Sequence, residues 1–65
     1  MIARYRRKIM IQPGDLVFIR MNGNMELLLL GIVLENESSF WRNVLISSGK
    51  IIRRDIWDIY ELQPE

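Results

Sequence analysis

The chain has 65 residues, nine lysines and arginines against eight acids for a net charge of +1, and neither cysteine nor histidine. That length allows one domain burying only about 60% of its unfolded surface, so it is marginal alone. The missing residue types exclude disulfides, zinc sites built from thiolate or imidazole, and nucleophiles activated by histidine. An apolar fraction of 49% nevertheless requires a folded core, which a disordered tail lacks.

The near-neutral total hides an uneven distribution. Arg4, Arg6, Arg7 and Lys8 crowd the start, whereas the last eleven residues carry four acids and no base. Residues 1–12 read as a basic arm. Its segment Arg4-Tyr5-Arg6-Arg7-Lys8 interleaves cations with an aromatic, a pattern able to neutralise phosphates and stack a base. The same residues suit, more readily, an edge strand docked by Tyr5 and Ile9, its cations facing water to discourage aggregation; contact with an acidic protein surface is a third alternative.

Pro13-Gly14 is a turn signal that closes the arm. Asp15 to Met21 follow, rich in β-formers, then Asn22-Gly23, a favoured two-residue hairpin loop, and a second apolar run from Met25 to Glu35. With that loop Met21 opposes Asn24, Phe18 opposes Leu27 and Leu16 opposes Leu29. One face then holds Leu16, Phe18, Leu27 and Leu29; the other holds Val17, Ile19, Leu28 and Leu30. Both are apolar, although an antiparallel sheet with one wet face should alternate. Three explanations stand open: a curled barrel covered by the arm, an interface, or a bulge near Gly31 that swaps the faces.

Asn36 to Ser39 form a polar loop, and Phe40 to Ile46 a third strand. Ser48-Gly49 turns it into a fourth, Lys50 to Arg54, in a register that sets Val44 against Arg53 and Asn43 against Arg54. Ile56 to Asp58 make one short helical turn, with Asp55 and Asp58 as capping residues. A closing strand, Ile59 to Leu62, follows; Trp57, Ile59 and Leu62 are expected in the core. The class is therefore all-β.

Gly14-Asp15-Leu16-Val17, Gly31-Ile32-Val33-Leu34, Val44-Leu45-Ile46 with its Ser-Gly hairpin, and the turn leading to Tyr60-Glu61-Leu62 together resemble the small SH3-like barrels. The nearest likeness is to the short single-barrel proteins encoded by bacteriophages, which are distantly similar to KOW-type barrels. The resemblance spans residues 13–62. It implies a five-stranded, strongly bent barrel over 13–65, with 1–12 as an added arm or strand, and a binding role. KOW-type relatives often contact RNA, and other SH3-like barrels bind peptides or assemble into larger machines.

The longest apolar stretch, Leu27 to Leu34, falls well short of the roughly 20 residues a membrane helix needs. A cytoplasmic or otherwise intracellular protein is expected, in the host cytoplasm or a larger particle if phage-encoded. No glycine-rich phosphate loop or metal-ligand spacing is present. Hence no enzyme activity, cofactor, metal or small-molecule substrate is expected. Phe40 and Trp41 cannot both point inward on a strand, and exposed Trp and Arg are favoured interface anchors. The candidate protein-binding residues are accordingly Phe40, Trp41, Arg42, Ile19, Leu28 and Leu30, for a module that buries an apolar face against another protein or itself. The alternative is a nucleic-acid-binding accessory protein using Arg4, Tyr5, Arg6, Arg7 and Lys8.

Overall fold

The computed structural model describes residues 4–21 and 24–63, and for 24–27 the backbone alone. The Asn22-Gly23 loop and the first three residues of the arm therefore lie outside the described residues. Six antiparallel strands form one sheet that does not close on itself. They are β1 (Tyr5–Arg7), β2 (Leu16–Met21), β3 (Asn24–Asn36), β4 (Trp41–Ile46), β5 (Ile51–Asp55) and β6 (Ile59–Leu62). The order across the sheet is β1-β6-β2-β3-β4-β5. A 3-10 turn, Ile56–Asp58, joins β5 to β6. No helix among the described residues is long and apolar enough to cross a membrane.

Local chemistry explains the punctuation. Pro13 and Gly14 occupy the centre of a turn closed by Asp15 N donating to Gln12 O at 3.1 Å, with Gly14 at φ 91°. Proline presets the first central position, and the second needs the positive φ that glycine takes without strain. The Asp15 carboxylate accepts from Gln12 N at 2.9 Å. At the other end, Asp55 caps the 3-10 turn by accepting from Trp57 N at 3.1 Å.

The first hairpin departs from the expected pairing. Met21 does oppose Asn24, but Arg20 opposes Leu28, so three residues of β3 have no partner on β2 at that step. Beyond it Phe18 pairs with Leu30, Val17 with Gly31 and Leu16 with Ile32. Three is an odd number, and an odd offset exchanges the faces. Leu28 and Leu30 therefore lie on the side of Leu16 and Phe18, while Ile19 lies with Val17, Gly31 and Val33. The face swap is real, but it sits opposite the Arg20–Met21 step rather than near Gly31; a second irregularity falls between Val33 and Glu35.

The second hairpin is also shifted, by one residue. Leu45 pairs with Ile51 and Val44 with Ile52, so Asn43 faces Arg53 and Arg42 faces Arg54. The loop has three residues, Ser47 to Gly49, with Gly49 N donating to Ile46 O and Ile46 N to Lys50 O. Gly49 at φ 88° occupies the left-handed position that a three-residue hairpin loop requires. A glycine at the third loop position, not the second, sets this register.

The core is Ile11, Val17, Ile19, Val33, Val44 and Ile59. Ile11, from the arm, contributes where Ile9 was expected; Ile9 is exposed. Trp57 and Leu62 are likewise exposed, whereas Ile59 is fully buried and Tyr60 nearly so. Gly31 is buried where β3 approaches β4 closely. A Cβ there would sit 2.5 Å from Val44 Cγ1 and 2.9 Å from the Leu45 carbonyl oxygen.

Two stability measurements check this arrangement. Gly31→Ala is expected to cost about 1–3 kcal/mol by overpacking, read by urea denaturation. Ile19→Val and Ile32→Val delete the same methyl on opposite faces; the first should cost about 0.5–1.5 kcal/mol and the second close to nothing. Equal costs would contradict the observed register.

Candidate interaction surface

The strand pairing that buries Ile19 lines up a row on the opposite side. Leu16 pairs with Ile32, Ile32 with Leu45, and Leu45 with Ile51. Directly opposed residues share a face, so four aliphatic side chains run across β2, β3, β4 and β5. Leu16 is 61% exposed, Ile32 43% and Ile51 59%; Leu45 is half-buried. Leu30 flanks the row at 44% exposure.

The β1–β6–β2 end of this face is partly covered. The Tyr5 ring meets Phe18 edge-on, centroids 5.1 Å apart, and the Arg20 guanidinium lies 5.7 Å from the Tyr60 ring. Arg20 also holds Asp58 Oδ1 through Nε at 3.0 Å and Nη2 at 2.7 Å. Asp58 thus serves as a salt-bridge partner, and Asp55 alone performs the capping expected of both. The arm covers the Phe18 end only. Leu16, Ile32 and Ile51 stay open to water.

The predicted protein-binding residues fall into three places. Ile19 is fully buried and belongs to the core; the odd offset in the first hairpin removes it from any surface. Leu28 and Leu30 lie on the apolar face. Phe40, Trp41 and Arg42 stand at the far end of the sheet. There Phe40 is exposed, and Trp41 carries the Arg53 guanidinium 4.2 Å above its ring. Arg53 is itself paired with Glu37 at 3.2 Å. Arg42 follows the opposite side of β4, donating to the carbonyls of Ser38 and Trp41.

The arm's cations are largely occupied. β1 adds to β6 as an edge strand. Arg6 pairs with Glu61 at 2.9 Å, and Lys8 reaches Glu61 at 3.4 Å and Asp15 at 3.6 Å. Arg7 lies 4.9 Å from the Trp57 ring centroid, and Tyr5 is turned toward Phe18. This is the edge-strand arrangement, with Tyr5 but not Ile9 as the docking residue. The row through Leu16, Ile32, Leu45 and Ile51, together with Arg54, escaped sequence reading. Its signal was Gly49 at the third loop position, which would have brought Leu45 opposite Ile51.

Neither a protein-family model, nor a curated protein, nor a solved structure matches this chain.

Glu61 links the arm to the sheet by charge. The hydrogen bond from Arg6, followed by that from Lys8, holds its carboxyl below the ordinary glutamate range despite partial desolvation. A depressed carboxyl pKa stabilises the fold above the unfolded value, about 4.3 for glutamate, and that contribution is lost as pH falls through the folded value. Glu61→Gln should therefore flatten the fall in melting temperature between about pH 5 and pH 3, measured by circular dichroism. An unchanged slope would show that the Glu61 cluster contributes nothing.

Proposed function

We propose that the chain is a non-enzymatic assembly module, an SH3-like barrel in outline, that buries its outer apolar row against another protein chain. The observation that carries this reading is the row itself: Leu16, Ile32, Leu45 and Ile51 aligned across four strands on the side away from the core. Two features support the barrel outline. Five consecutive strands, β2 to β6, have a 3-10 turn before the last, the element order the resemblance implies. The 13-residue β3, irregular at both of its ladders, is suited to serving two halves of a bent sheet. β1 is then the added edge strand.

Magnitudes favour a second copy as the occupant, and a weak association. Leu16, Leu30, Ile32 and Ile51 each leave roughly half their surface in water. Burying that half is worth about 1 kcal/mol apiece. Two copies packed row to row about a twofold axis, the commonest arrangement of like chains, recover about 8 kcal/mol, within the range of about 4–15 kcal/mol that association costs. A dimer formed through this row alone is thus concentration-dependent. It would also supply burial that a 65-residue chain without disulfides commonly needs.

Binding of nucleic acid through the arm finds less support, because Arg6, Arg7 and Lys8 already have partners. Ile32→Lys and Ile51→Lys place a charge in the row without entering the core. Light scattering over a wide concentration range should show the wild type shifting from monomer toward dimer, with both variants remaining monomeric at unchanged melting temperature. A wild type that stays monomeric throughout would exclude self-association, and variants that still dimerise would exclude the row.

A further inference from the structure

A second feature lies on the opposite side of the sheet and is independent of the apolar row. Arg42 on β4 and Arg54 on β5 are directly paired in register, on the face that carries Val44 and Ile52. Like charges opposite one another destabilise a sheet. At the other edge the same geometry is resolved with an acid, Arg6 facing Glu61. Here it is not: among the described residues, no carboxylate pairs with either Arg42 or Arg54.

Both guanidiniums are held in place by groups that do not neutralise them. Arg42 Nη1 donates to Ser38 O at 2.6 Å and Trp41 O at 3.1 Å. Arg54 Nη1 donates to Arg53 O at 2.9 Å, and its Nη2 lies 3.1 Å from Met21 Sδ. Each side chain is half-buried, and Arg42 Nε is buried with no acceptor. A buried donor left unmatched is rare and costly in folded proteins. A guanidinium has five N–H donors, so each arginine retains donors that no group among the described residues accepts. Arg53, the neighbour of Arg54 along β5, points to the other face and is already neutralised by Glu37.

We propose that Arg42 and Arg54 form a binding site for a phosphate group. Two arginines paired in register on one face carry two positive charges, which a phosphate of about −1.5 to −2 balances and a single carboxylate does not. The planar donor forks suit its oxygens. The backbone anchors on Arg42 preorganise the site, so little side-chain freedom is lost on binding.

The test follows the arginine Nε–H resonances of the intact chain by NMR. Inorganic phosphate, acetate and a short single-stranded oligonucleotide are each titrated at matched ionic strength. Phosphate is expected to shift the Arg42 and Arg54 signals and raise the melting temperature, with acetate doing neither. Arg54→Gln should weaken phosphate binding at least about tenfold, as loss of a charge-assisted fork implies. Without phosphate it should melt no lower than the wild type, since the like-charge contact is gone. Arg53→Gln should bind as the wild type does. Arg42→Lys keeps the charge but loses the fork and should also bind more weakly; it reports on the same site should Arg54→Gln prove unstable. A response to the oligonucleotide at the same two signals places the phosphate on a nucleic-acid backbone, and a response to inorganic phosphate alone places it on a small molecule. An equal response to acetate, shifts confined to Arg4, Arg6 or Arg7, or undiminished binding by Arg54→Gln and Arg42→Lys would each overturn the site.

Discussion

The three unpartnered residues of β3 opposite the Arg20–Met21 step decide which way each side chain of the first hairpin faces. Because side chains alternate strictly along a strand, an odd offset is equivalent to turning one strand over. It brings Gly31 and Val33 under Val17 and Ile19, and it sends Leu30 and Ile32 to the other side. The outer row depends on it, because Ile32 is the position through which Leu16 connects to Leu45 and Ile51.

A chain this small cannot hide all its apolar residues. Among the described residues the core cluster has six side chains, five of them from the sheet, and that sheet has a second surface built from the same strands. The two ends of that second surface are treated differently. At the β1–β6–β2 end, Tyr5 and Arg20 lie over Phe18 and Tyr60, and charged pairs tie the arm to β6. Among the described residues nothing comparable crosses Leu16, Ile32 and Ile51. The asymmetry leaves Leu16, Ile32 and Ile51 as an apolar, water-facing side of the sheet.

Charge is arranged with a similar asymmetry. Arg6, Lys8, Arg20 and Arg53 each face a carboxylate, and exposed pairs of this kind add little stability individually. Their effect is to settle where each side chain lies and to quench the basic character that the arm shows in one dimension. Arg42 and Arg54 retain theirs. The strongest cluster of cations along the sequence is thus largely neutralised, and two arginines twelve positions apart become the concentrated charge.

Much of the fold was legible from residues alone because the signals were local. Pro13-Gly14 predicts a turn, Asp55 a cap, and β-rich runs between polar loops predict the strands; each rests on contacts within a few residues. The all-β class, the 3-10 turn at Ile56–Asp58 and the closing strand Ile59–Leu62 follow from such signals. Register does not. Whether Val44 meets Arg53 or Ile52 depends on one residue in a loop, and whether Ile19 is core or surface depends on three residues in β3. These choices are settled by which pairing buries the most apolar area at once across several strands, a property of the assembled sheet. Trp57 and Leu62 show the same limit, being bulky enough for a core yet left outside by the alternation of the strands around them. Composition and turn chemistry therefore determined what elements form, and tertiary packing alone decided which faces meet the core, which face water, and that Arg42 and Arg54 stand side by side.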